Sequence, residues 1–153
     1  MPYPAKTTPA AVLDAALAIV STQGWTALSM RTLALALNVR ASSIYHHFAD
    51  RAAIENALGA LTAQRLLLAL QSAAGRLKGS NRTRAIAHAY LDFSQSNASL
   101  FHLIATPSAA TILTTFFDGR IALRCFLHGF VTLPAAERID LDLALGPLLA
   151  GAA

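Results

Sequence analysis

Apolar residues recur along this chain at three- and four-residue spacing, and no stretch combines strict alternation with enough β-branched residues to make a strand, so the pattern predicts an all-α protein. Thr8 is placed to cap a first helix with Pro9 at its first position, where a missing N–H costs nothing. Leu13, Leu17 and Val20 form its stripe, and Gly24 stops it. Ser29 is placed to cap a short second helix carrying Met30, Leu33 and Leu37 on its inner side. Asn38, which tolerates positive φ, and Val39 then make a tight turn into a third short helix, opened by Ala41 or Ser42 and running through Ile44, Tyr45 and Phe48. Asp50 can cap a long fourth helix with the stripe Ile54, Leu58, Leu61 and Leu68, reaching about Ala74, with Gly59 as a local weak point.

Beyond it, Gly75 to Ser80 reads as a loop, and Asn81 as the cap of a fifth helix that puts Ile86, Tyr90 and Phe93 on one face. Pro107 marks a break. From Ser108 to Leu133 the spacing is helical again through Ile112, Phe116, Leu123, Leu127 and Phe130, with Asp118-Gly119 as the place where it can divide, and Pro134 starts a final, shorter helix. No internal repeat is present.

Composition changes this picture in one respect. Hydrophobic residues make up 55% of the 153 and charged residues 13%, so a large apolar fraction must be buried, some of it against a partner chain. The length fits one domain, or two small ones sharing a core. The net charge of +4 and a pI near 9.8 favour acidic partners, nucleic acid first. Residues 1–51 carry four bases against two acids, 65–84 five bases and no acid, and 85–153 three bases against five acids, an asymmetry that suits a DNA-reading end joined to a partner-binding or ligand-binding end. A single cysteine, Cys125, forms no intrachain disulfide, and no leader pattern opens the chain, so the cytoplasm is the expected location. The longest uncharged segment, Phe93 to Phe117, contains Ser, Gln, Asn, His and Pro107 and does not read as a membrane span.

The candidate chemistry lies between Ser29 and Phe48, SMRTLALALNVRASSIYHHF, which has the layout of a helix-turn-helix. Arg40, Ser42, Ser43, His46 and His47 surround its second helix as donors for base edges or phosphates, and Arg31 stands at the start of the first. The runs Gly24-Trp25-Thr26-Ala27-Leu28-Ser29-Met30-Arg31-Thr32-Leu33-Ala34, Ala36-Leu37-Asn38-Val39 and Ile44-Tyr45-His46-His47-Phe48, with Arg51 following, resemble the TetR family of transcriptional regulators over about the first 55 residues.

The resemblance implies a three-helix DNA-binding domain over residues 6–52, with the motif at 29–48, and a C-terminal helical dimerisation and ligand domain over 53–153. It implies a homodimer on a palindromic double-stranded operator, with half-sites about 34–36 Å apart. Carried over, Arg31 reaches a base edge or phosphate, Ser42, Ser43 and His46 face the groove, and Tyr45 and His47 touch the backbone. Arg51 stands where the family usually has lysine, at a helix start whose dipole favours phosphate and which Asp50 partly offsets. Asn38 replaces the usual turn glycine, and the chain is shorter than such regulators usually are, after the fifth helix.

Further along, Arg124 to Leu133 resembles a Trp-x-x-x-His-Gly helix of one branch of these regulators, with Phe for Trp. That would make the helices around Ile121 to Thr132 and Ala135 to Leu148 half of an intersubunit four-helix bundle, with Gly129 allowing close approach. The usual effector would be a small apolar molecule, and Leu61, Gln64, Leu68, Tyr90, Phe93, Phe101, His102, Phe116 and His128 are candidates to line its pocket, against the plainer reading that aromatic stripes are core.

His88, His102 and His128 lack the paired spacing of a zinc site. Cys125 and His128 lie one turn apart with no orienting third group, and Trp25 is expected to close the first helix on the second. Neither enzyme activity nor any cofactor is expected. The reading is a dimeric, ligand-responsive repressor; the alternative is a helical protein-interaction module that keeps the helix-turn-helix as scaffold.

Overall fold

The computed structural model describes residues 7–117, 120–133 and 140–150, and all regular structure among them is helical. α1 (Pro9–Gln23) starts where Thr8 Oγ1 accepts from the Ala11 N–H at 3.2 Å. A 3-10 turn, Trp25–Ala27, leads to α2 (Met30–Ala36), which opens on a reciprocal cap: the Thr32 N–H donates to Ser29 Oγ at 3.1 Å and the Ser29 N–H to Thr32 Oγ1 at 2.9 Å. Asn38 takes φ 51° in the turn, the one non-glycine residue with positive φ among the described residues. α3 (Ala41–Tyr45) follows, and α4 (Arg51–Ala74) begins with Asp50 Oδ1 accepting from the Ala53 N–H at 2.8 Å.

α5 (Gly79–Ser96) starts two residues before the expected cap Asn81. A short α6 (Ala98–Phe101) runs into a 3-10 turn, His102–Ala105, and then α7 (Pro107–Phe116) with Pro107 at its start. α8 (Ile121–Thr132) and α9 (Leu141–Ala150) complete the order. Asp118-Gly119, where the long pattern was expected to divide, and Pro134, the expected start of the final helix, lie outside the described residues; α9 begins at Leu141, where Asp140 Oδ1 accepts from the Leu143 N–H at 3.1 Å. The described part of this last helix contains Pro147.

Two apolar cores result. The N-terminal one gathers Val12, Ala16, Ile19, Val20, Leu28, Leu33, Ala34 and Ile44 with Ile54 and Leu58 of α4, and Leu100 and Leu103 close it from the C-terminal half. The second is built on Leu66 and Leu70 of α4, Ile86 and Tyr90 of α5, Leu113 and Phe117, Leu123 and Leu127 of α8, and Leu145 of α9, and Phe101 and Ile104 belong to it. Residues 98–105 thus divide between the cores: at 100° per residue, Leu100 and Leu103 face one way and their successors Phe101 and Ile104 the other.

Two expected stripes are corrected. On α1 the buried set is Val12, Ala16, Ile19 and Val20, with Leu13 and Leu17 only half-buried beside it. On α4 the buried line is Leu58, Thr62, Leu66, Leu70 and Ala74, while Leu68 is 66% exposed; polar Thr62 lies on the inner line because its hydroxyl donates to the Leu58 carbonyl at 2.8 Å. Gly59 permits a crossing. A Cβ there would fall onto Thr106 Oγ1 and lie 2.7 Å from the Leu103 carbonyl, so the absent side chain lets α4 touch the turn before α7.

Candidate nucleic-acid interface and ligand cavity

α3 is five residues long and buries only Ile44. Stepping 100° per residue puts Ser42 and His46 on the side opposite Ile44 and Ser43 and Tyr45 on its flanks. Ser42, Tyr45 and His46 are exposed, Tyr45 at 53%, and Ser43 is half-buried. Arg31 and Arg40 are exposed nearby in sequence, on the first turn of α2 and the residue before α3. The short inner face, one buried isoleucine, leaves most of α3's perimeter free to enter a groove.

Two residues have partners that sequence reading did not supply. Arg51 Nε donates to Glu55 Oε1 at 2.7 Å, one turn along α4, so a carboxylate shares the cation expected to meet phosphate. His47 is half-buried, with Nε2 2.6 Å from the Thr7 carbonyl, which ties the end of α3 to the residue before the α1 cap. The i, i+4 spacing of Arg51 and Glu55 is visible in the sequence; the pairing of His47 with Thr7 spans 40 positions and is not.

Trp25 does more than close α1 on α2. Its Nε1–H donates to the Ser99 carbonyl at 2.6 Å and its ring meets that of His102 edge-on, centroids 4.7 Å apart, so the N-terminal helices are fastened to the turn at 98–105. A second fastening joins α4 to α7. Asn56 Nδ2–H donates to Ser108 Oγ at 2.8 Å and its Oδ1 accepts the Ser108 N–H at 3.1 Å, capping α7 from another helix.

The nine ligand candidates separate. Tyr90 and His128 line a cavity of about 400 Å³ with Ile104, Ala105, Arg124 and Cys125, and Phe101 packs on both, its ring 5.5 Å from Tyr90 and 6.1 Å from His128. Phe116 lines a second cavity, of about 270 Å³. Leu61 and Phe93 are half-buried against the two cores. Gln64, Leu68 and His102 are exposed and line neither cavity, because α4 turns its 62-66-70 line inward and His102 turns to Trp25. Ile104, Ala105, Arg124 and Cys125 were missed, since only the fold brings α8 against the turn at 102–105.

Inside the larger cavity the Tyr90 hydroxyl stands 3.4 Å from His128 Nδ1. Burial pushes the phenol well above its usual range, so it keeps its proton. Burial, and then the Arg124 guanidinium, hold His128 below its ordinary value, which keeps the imidazole neutral and able to accept. The neutral ring and the phenol together offer both a donor and an acceptor to a guest. Arg124 itself donates to Thr114 Oγ1 at 2.9 Å. Among the described residues no group of three His, Cys, Asp or Glu side chains could hold a metal ion, and no single helix is long and apolar enough to cross a membrane.

Residues 12–58 match the family model for bacterial regulatory proteins of the tetR family. An uncharacterized HTH-type transcriptional regulator of Bacillus subtilis, YobS, is 25% identical over 152 residues, covering 84% of this chain and 80% of its own. A protein of unknown function from Rhodococcus sp. RHA1 has a similar fold, with a TM-score of 0.67 at 22% identity over 99% of this chain and 96% of its own. A TetR-family transcriptional regulator from Streptomyces coelicolor has a TM-score of 0.57 at 22% identity, over 80% of this chain and 77% of its own. With α2 and α3 flanking the turn at Asn38 and a helical C-terminal part behind them, residues 12–58 carry a tetR-type DNA-binding domain, and the chain is similar to the DNA-binding transcriptional regulators of the TetR family.

Proposed function

We propose that the protein is a homodimeric, ligand-responsive repressor in the cytoplasm that occupies a palindromic operator, with residues 6–52 as the DNA-binding unit and 53–153 for dimerisation and effector binding. It acts by binding and not by catalysis. The observation that carries this is α3: Ser42 and His46 stand opposite its one buried residue, Tyr45 lies exposed on the flank, and Arg31, Arg40 and Arg51 supply cations around it. Ser42, Ser43 and His46 read bases, Arg31 and Arg40 serve bases or phosphates, and Tyr45 and Arg51 hold phosphate. His47, its ring engaged with Thr7, acts on the backbone chiefly by fixing the end of α3.

The dimer reading rests on α8 and α9. Ala122, Cys125, Gly129 and Thr132 recur along one exposed, small-residue face of α8, a Cβ at Gly129 would meet nothing within 4 Å, and Leu143 of α9 is 72% exposed. Apolar surface of that kind fits the same face of a second copy. The effector reading rests on the Tyr90–His128 cavity, whose wall residue Ile104 adjoins Leu103 of the N-terminal core, so a guest that shifts the turn at 102–105 shifts the DNA-binding half.

Fluorescence anisotropy tests the whole reading, with the purified protein on a nonspecific duplex and on DNA from beside its own gene, at about 50 and 200 mM salt. Tighter, steeply salt-dependent binding to the neighbouring DNA is expected, together with a dimer mass by light scattering. Tyr45→Ala with Arg51→Ala should weaken that binding by roughly a hundredfold or more. Equal weak binding to both duplexes, or a monomer, would transfer the reading to a protein-interaction module.

A further inference from the structure

The cavity of about 270 Å³ lies between α5, α7 and α8 and is lined by Arg82, Ile86, Phe116, Phe117, Arg120 and Leu123. Its floor is apolar: Ile86, Phe117 and Leu123 are buried, and Phe116 meets Phe117 edge-on with centroids 5.1 Å apart. Its polar groups are two guanidinium-bearing side chains on different elements, and among the described residues no acidic side chain lines it. Other arginines of these elements have partners: Arg84 Nε donates to Asp142 Oδ1 at 2.7 Å, and Arg124 to Thr114. The Arg82 and Arg120 side chains make no hydrogen bond or ion pair among the described residues. Two like charges at one small apolar opening repel each other, and a bound anion relieves that repulsion while the floor takes its apolar part.

We propose that this cavity binds a small apolar carboxylic acid as its carboxylate, held by Arg82 and Arg120 with its hydrocarbon on Ile86, Phe116, Phe117 and Leu123, as a ligand site separate from the Tyr90–His128 cavity. Guanidinium groups match carboxylates bidentately, which a neutral polar head cannot reproduce. With a water occupying about 30 Å³, the space holds a guest of roughly nine heavy atoms, the size of benzoate or hexanoate. Nucleic acid is the less fitting anion. Arg82 follows the C-terminal end of α4, a 24-residue helix about 36 Å long whose other end carries Arg51.

Isothermal titration of the full chain with benzoate and hexanoate, against benzyl alcohol, hexanol, acetate and inorganic phosphate, tests the site at constant salt. The two apolar acids should bind once per chain and at least about tenfold more tightly than the alcohols, acetate or phosphate. Arg82→Gln with Arg120→Gln should weaken the acids at least about tenfold, whereas His128→Asn should leave them unchanged. The double variant should keep the wild-type circular dichroism and ligand-free DNA affinity. The proposal fails if alcohols or phosphate match the acids, if the double variant binds them as before, or if no acid saturates below about 10 mM. It also fails if the double variant loses DNA affinity without ligand, which would assign these arginines to the operator. The comparison of acid with alcohol uses the unaltered protein, so it stands whether or not a variant folds.

Discussion

Among the N-terminal helices, α1, α2 and the start of α4 open on Thr8, Ser29 or Asp50, whose side-chain oxygen accepts a backbone N–H three residues on, while α3 opens after Arg40 without such a bond; further along, α5, α6 and α8 open after Lys78, Asn97 and Arg120 with no side-chain cap bond, and α9 has a local cap in Asp140. α7 in the C-terminal half is capped by Asn56, 52 positions away on α4. The same half depends on Gly59 for the crossing of α4 over the turn before α7. Local caps therefore open most of the N-terminal helices, whereas the start of α7 and the crossing of α4 over the turn before it rest on contacts between helices. That tendency suits the proposed regulator, in which the reading head keeps one shape and the C-terminal half has a second arrangement within reach.

The largest effect should come from Gly59. Gly59→Ala adds a Cβ onto Thr106 Oγ1 and near the Leu103 carbonyl, and should cost about 1–3 kcal/mol in urea unfolding despite alanine's better helix propensity. A stabilised variant would show that α4 and the turn are not held in close contact. Next, Asn56→Ala leaves the Ser108 N–H at the start of α7 without its acceptor and should cost about 1–2 kcal/mol, with a loss of effector response larger than the loss of DNA affinity. Equal losses of both would contradict a division between the two ends.

Ser29→Ala removes a purely local cap and should cost about 1 kcal/mol, read as a lower melting temperature and weaker DNA binding with effector binding retained. The smallest effect is one of pH. His128 in the folded chain sits below its ordinary value of 6.5, so below that pH the unfolded chain takes up the proton more readily. Stability is then full above about pH 6.5 and falls as the pH drops through and below it. Melting temperatures of the wild type and of His128→Asn, compared at about pH 7.5 and 5, should differ more in the wild type; parallel curves would remove His128 from the balance.

Most of the DNA-binding half was legible because its signals are short-range. A cap, a proline, a positive-φ asparagine and the spacing of Leu33 and Ile44 each act within a few residues, and together they fix α1 to α4 and the exposed side of α3. Even there, the buried line on α1 was displaced, because Val12, Ala16 and Ile19 face the core and bulkier Leu13 and Leu17 flank it. The C-terminal half was harder. Leucines occupy both sides of α4, so apolar spacing alone did not distinguish Leu66, buried, from Leu68, exposed, and the choice falls to whatever α5 and α7 cover.

The sequence by itself determined an all-helical chain, its helix-turn-helix and its basic reading end, since helix periodicity, capping and charge are properties of neighbouring residues. Tertiary structure alone decided that Trp25 fastens the N-terminal helices to the turn at 98–105, that Asn56 joins α4 to α7, that Tyr90 meets His128, and that Arg82 and Arg120 share one cavity. These pairs lie 74, 52 and 38 positions apart for Trp25–Ser99, Asn56–Ser108 and Tyr90–His128. Nothing local rewards such partners for meeting, and only the burial of both cores, with residues 98–105 shared between them, brings them within hydrogen-bond reach.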